Sequence, residues 1–284
     1  MMHVSLMLGA IAVSLFLRLV LTHRCFQHWL AMLAIFTVPP LLILTTALAI
    51  VIMGPHGHVV THLEGWLSYV AAWIYLGITL GLLGYLGWQA YRSIHHLEQY
   101  PRVTVQSTSG RLLPSDTVFS AQLGFWSSEL VISQGLLDSL DPDHLAAVIA
   151  HENAHAHYRD TFWFFWLGWL RRISVWLPYT EKLWQELLLL REIRADRWAV
   201  RSVERLTLAE SLVQVIASPL STVAAANFSC TAPTSRLTRR IDALLEDDMP
   251  TVPTTDAKFT LQWAVILCCA AISAVPLVSV PFHY

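Results

Sequence analysis

Residues 147–160 read A-V-I-A-H-E-N-A-H-A-H-Y-R-D, and residues 187–200 read L-L-L-L-R-E-I-R-A-D-R-W-A-V. In the first run His151 and His155 are four apart, so on a helix both imidazoles project from one face and meet one metal ion, with Glu152 beside them in reach of its water. In the second, 37 residues past His155, Glu192 and Asp196 again share a helical face. A catalytic zinc takes three protein ligands and keeps a fourth position for water, and His, His, Glu is one of the known sets. The spacing therefore predicts His151, His155 and Glu192 as ligands of one Zn2+. Asp196, one turn from Glu192, is placed to accept the free ring N–H of a ligating histidine. Zinc acidifies a bound water and polarises a carbonyl, and Glu152 takes the water's proton and passes it to the leaving amine. The chemistry expected is hydrolysis of a peptide bond.

Around these two runs the chain is apolar: 55% hydrophobic, 13% charged, with twelve Trp in 284 residues. That composition belongs to a membrane protein. A net charge of −2 leaves no basic excess for a nucleic acid, and direct binding to one is not expected. Cys25, Cys230, Cys268 and Cys269 have no paired spacing and suggest no disulfide framework.

A span needs about 20 apolar residues. Four segments qualify, at about 4–22, 29–53, 66–90 and 259–280, with Arg18 close enough to the end of the first to snorkel. Pro39-Pro40 is expected to kink the second. The third carries Gly77, Gly81, Gly84 and Gly87 on one face, which is expected to pack on a neighbouring helix.

Of eighteen Lys and Arg, Arg18 and Arg24 sit at the first connection, none falls between Trp29 and Tyr91, and sixteen lie from Arg92 to Lys258. The positive-inside rule then puts residues 91–258 in the cytoplasm and both termini outside. The expected architecture is a mainly α membrane protein, four transmembrane helices with a cytoplasmic α+β metallopeptidase domain.

Within 91–258, residues 116–133 read as a hairpin turning near 124–128. Asp141-Pro142 opens a helix running through Tyr158, and Thr180-Glu181 opens another to about Ser202. Between them, residues 161–179 pack Trp163, Phe164, Phe165, Trp166, Trp169 and Trp176 around Arg171-Arg172. The apolar run is too short to span, and aromatic residues beside basic ones suit the lipid headgroup region.

At this point the chain resembles the BlaR/MecR-type antirepressor metallopeptidases, membrane proteases with a cytoplasmic gluzincin domain. The hairpin V-F-S-A-Q-L-G-F-W-S-S-E-L-V-I-S-Q-G-L-L from Val118 and S-R-L-T-R-R-I-D-A-L-L from Ser235 are similar to that family and to the HtpX-type membrane proteases. The resemblance implies the same roles for His151, His155, Glu192, Glu152 and Asp196. It further implies that the strand at Val118–Gln122 lines the cleft and pairs with extended substrate. Arg240 matches a family arginine near the site, an oxyanion or substrate-orienting group in that reading; the alternative is a helix-surface arginine. Only four residues follow the fourth span, so an extracellular penicillin-binding sensor is not expected.

The resemblance implies cleavage of a cytoplasmic BlaI-like repressor, with self-cleavage a further option. The rival functions are an HtpX-type quality-control protease and a metal-responsive membrane sensor whose zinc is structural. Signal input would then come through the spans, the bilayer or the outer loop, where Met53, His56, His58 and His62 cluster. Thioether and imidazole suit copper, so an outer copper-sensing site is a second expectation; the simpler reading is interfacial loop histidines.

Overall fold

The computed structural model describes residues 2–21, 29–55, 62–217, 233–245, 271, 273–278 and 280. The chain divides into two compact units: Met1–Leu86, Leu167–Leu187 and Thr251–Tyr284 form one, Gly87–Trp166 and Leu188–Pro250 the other.

The first unit holds the apolar helices. Helix α1 (Met2–Phe16) continues as a π-turn at Leu17–Leu21, followed by α2 (Trp29–Met53) and α3 (His62–Leu97), whose residues from Gly87 on belong to the second unit. Three described stretches are long and apolar enough to cross a membrane: His3–Val20, Trp29–Met53 and Glu64–Leu97. Of the fourth expected span, residues 259–270 lie outside the described residues; Val275–Val278 is helical.

Arg18 departs from its expected place. It is fully buried and does not snorkel; its Nη2 donates to the Phe36 carbonyl at 3.2 Å and its guanidinium lies 5.4 Å from the Phe36 ring centre. The reason is in α2, where the helix runs on through Pro39 and Pro40. A proline at position 40 has no N–H for the carbonyl four residues back, which is that of Phe36, and Arg18 supplies the missing donor. Apart from α3's own backbone, no described residue lies within 4 Å of a Cβ built on Gly77, Gly81, Gly84 or Gly87.

Residues 167–187 pack with the spans. The Trp169 indole donates to the Thr79 carbonyl of α3 at 2.8 Å, Arg172 lies over the Tyr85 ring, and Trp184 contacts Phe36 of α2.

The second unit is built on a four-stranded sheet in the order β1-β2-β4-β3. Strand β1 (Arg102–Val105) turns into β2 (Thr108–Leu113) through Gln106 and Ser107, both at positive φ, the backbone a two-residue hairpin requires. This pair has polar, weakly alternating sequence and carries no hairpin signal beyond the turn. Strands β3 (Ser120–Leu123) and β4 (Glu129–Ser133) lie within the hairpin expected at 116–133 and pair antiparallel, while β2 and β4 pair parallel. At the tip Gly124 has φ +138°, and a Cβ there would come within 2.3 Å of the Ser127 carbonyl oxygen, so only glycine fits.

After a short α4 (Gln134–Ser139), α5 (Pro142–His157) starts where the sequence places it. The Asp141 side chain accepts from the N–H groups of Asp143 and His144, with Pro142 in the first turn. One face of α5 buries Leu145, Val148 and Ile149 against Leu130 and Ile132 of the sheet and Val118 just before β3. Each such side chain contributes roughly 1.5–3 kcal/mol of burial. A second face sets Ala147 and Ala150 against Leu208 and Leu212 of α8 (Arg205–Ala217) and Leu244 of α9 (Pro233–Leu245). The remaining face carries His151, Glu152 and His155. Helices α6 (Asp160–Ile173) and α7 (Thr180–Ala199) complete the path, so the segment expected at 161–179 is a helix through Ile173 and then a turn.

Candidate metal centre

The two histidines of α5 and the carboxylate of Glu192 on α7 converge. The Nε2 atoms of His151 and His155 are 3.2 Å apart, and Glu192 lies 3.3 Å from the first through Oε2 and 3.8 Å from the second through Oε1. Each ring has its other nitrogen committed to a carboxylate. His155 Nδ1–H donates to Asp160 Oδ2 at 2.8 Å, and His151 Nδ1 sits 2.8 Å from Asp196 Oδ1, a charge contact less well aligned than the first. A carboxylate only accepts, so the proton belongs on each Nδ1 and the lone pairs of the two Nε2 atoms face each other. That arrangement asks for a cation between them. Two nitrogens bound to tetrahedral zinc at about 2.0–2.1 Å stand about 3.3–3.4 Å apart, close to the separation found. The ligand atoms offered by His151, His155 and Glu192 all lie within 4.8 Å of one another, so the set fits a single ion.

Two guanidinium groups frame Glu192. Arg191 donates to Oε1 at 2.6 Å, and Arg240 Nη1 is 3.4 Å from Oε2. Burial works against the ionised carboxyl, yet Arg191, with His155 and Arg240, holds it well below the usual carboxylate range. It is therefore charged, as a metal ligand must be. For His151 burial alone would push the pKa down, but the Asp196 carboxylate, aided by Glu192, raises it to about 9. The anionic surroundings thus favour positive charge at this point. Asp196 and Asp160 are also held below their ordinary values against burial, first by Arg240 and Arg194 respectively.

Arg240 reaches this site from α9. Its Nε and Nη2 donate to the two oxygens of Asp196 at 2.8 and 2.7 Å, a bidentate pair. Its guanidinium is thus part of the site and not a helix-surface group, engaged on the carboxylates of Asp196 and Glu192.

Three residues at the site have no helical spacing signal. Asp160 holds His155. The chain leaves α5 at Tyr158, and Arg159 takes φ +52°, which turns Asp160 back onto the ring four residues up the helix from His151. Arg194 secures Asp160 by an ion pair and lies 4.2 Å from the Tyr158 ring centre. Ser120 on β3 donates to Glu152 Oε1 at 2.9 Å and so fixes the carboxylate next to the two histidines. Gln122 lies two residues further along the same strand.

Among the described residues, three other histidines have partners away from the site. His144 bridges Asp141 and Glu210, His157 stacks on Trp198, and His95 pairs with Glu98. Met53 is buried at the end of α2, and His62 opens α3. His56 and His58 lie outside the described residues, as do Cys25, Cys230, Cys268 and Cys269.

Donor set, flanking carboxylates and an acid beside them together describe a hydrolytic metal centre. The model of peptidase family M48 matches residues 113–179. The matched stretch runs from the end of β2 to the turn after α6 and so contains His151, Glu152, His155 and Asp160, while Glu192, Asp196 and Arg240 lie beyond it. M48 peptidases are zinc-dependent, and the match supports a metallopeptidase. No curated protein matches the chain.

Proposed function

We propose that the chain is a membrane-anchored zinc endopeptidase whose peptidase domain faces the cytoplasm and inactivates a BlaI-like transcriptional repressor. The observation that carries the chemistry is the convergence of two Nε2 atoms and the Glu192 carboxylate, with Glu152 bound beside them by Ser120. Bound there, zinc supplies Lewis-acid polarisation of the scissile carbonyl and an acidified water. The residues of the chain do the rest. Glu152 accepts the water's proton and returns it to the departing amine. Asp196 and Asp160 keep both rings in the tautomer that leaves Nε2 free, and Arg240 and Arg194 keep those carboxylates charged and in place. The open edge of β3 offers an extended peptide a strand to pair with.

The cytoplasmic placement rests on the concentration of Lys and Arg in 91–258, and the repressor on the likeness to the BlaR/MecR-type proteases. The match to peptidase family M48 equally suits quality-control proteolysis of membrane proteins. Co-expression with BlaI-like repressors, wild type against Glu152→Gln, separates the readings. A repressor fragment made only by the wild type supports the first. A repressor left intact while misfolded membrane proteins are degraded supports the second.

A further inference from the structure

Strand β3 carries a residue out of keeping with its surroundings. By the two-residue period of a strand, Ser120 and Gln122 share one face. The register sets Ser120 across from Ile132 and Gln122 across from Leu130, and Val118, Leu130 and Ile132 all belong to the core packed against α5. Gln122 thus occupies a position whose neighbours call for an apolar side chain. It is only 8% exposed, and among the described residues its Oε1 has no hydrogen-bond partner. A buried carboxamide left unsatisfied destabilises the fold, and departures from the local pattern of this kind collect at functional sites.

The face on which Gln122 lies runs along α5. Val118 packs with Val148 and Ile149, and Ser120 reaches Glu152, so the face follows α5 toward the end that holds His155. β3 is also an edge of the sheet. We propose that Gln122 is a substrate-binding residue whose carboxamide pairs with a main-chain amide of the peptide beside the scissile bond. Nε2–H donates to the peptide carbonyl and Oε1 accepts the peptide N–H, the two complementary groups that any polypeptide presents. Recognition is therefore of backbone and independent of substrate side chains. This rests on the endopeptidase reading above.

The test uses the full-length protein in lipid nanodiscs with fluorescein-labelled, heat-denatured casein as probe. Gln122→Leu keeps the volume and removes both hydrogen bonds. The expected result is a Tm equal to or above that of the wild type, unchanged zinc content, and kcat/KM lower by about tenfold to hundredfold, mainly through KM. Binding in the non-cleaving Glu152→Gln background gives a readout independent of turnover, where Gln122→Leu weakens casein binding by a similar factor. Gln122→Ala serves as a second variant if the larger side chain misfits. Unchanged kcat/KM and unchanged casein binding overturn the proposal, and so does a lowered Tm with zinc loss in both variants, the mark of a structural residue. If the wild type binds casein without cutting it, the endopeptidase reading fails while the binding comparison still decides the role of Gln122.

Discussion

Asp160→Asn offers the sharpest probe of how the centre is held. Asp160 is buried, its Oδ2 accepts from His155 Nδ1 at 2.8 Å, and its other oxygen pairs with Arg194. Asparagine keeps the shape and one acceptor oxygen but removes the charge that raises ligand basicity. Loss of a group hydrogen-bonded to a metal-ligating histidine lowers metal affinity by about 10–100-fold. Because the substitution retains an acceptor, the lower end applies, about tenfold, or about 1.4 kcal/mol of binding free energy. The assay is competition for Zn2+ against a chromophoric chelator, with purified protein in nanodiscs and thermal unfolding followed in parallel. The reasoning predicts weaker zinc binding in a protein that still unfolds cooperatively. Wild-type zinc affinity in Asp160→Asn would refute it, because Asp160 would then be a helix-start residue with no hold on the metal centre.

Two further outcomes follow from the electrostatics. Arg240→Leu leaves the buried Asp196 carboxylate without its bidentate partner, and the expected cost is about 3–5 kcal/mol, read as a lower Tm together with lost zinc; an unaltered Tm would show the pair to be dispensable. The His144 pKa is raised, chiefly by its hydrogen bond to Asp141 and then by Glu210, so its contribution is fully present below its unfolded pKa of about 6.5 and is lost as pH rises through the higher folded value. His144→Gln should flatten that limb of the Tm–pH curve, and a curve of unchanged shape would contradict the assignment.

The two helical signatures were legible because their information is local. A four-residue separation on a helix places His151 with His155 and Glu192 with Asp196 wherever the helices go, and Asp141-Pro142 marks the start of the first. Asp160 was not, since its place depends on the left-handed turn at Arg159, a backbone choice the residue type does not announce. Ser120 meets the site through packing of a strand on a helix, a contact set by tertiary structure alone. Arg18 reads as a span-end charge until the proline at position 40 is seen to free the Phe36 carbonyl it fills. That link is visible in the sequence only when the two helices are known to be neighbours.

The central claim is that His151, His155 and Glu192 hold a zinc ion at which Glu152 moves the proton. The most direct measurement is metal content and casein cleavage on the same preparation of wild type and Glu152→Gln. The account predicts one zinc per chain in both, with cleavage in the wild type and a loss of about 10²–10⁴-fold or more in the variant. Equal cleavage by the two proteins, or a wild type that retains no zinc, would contradict it.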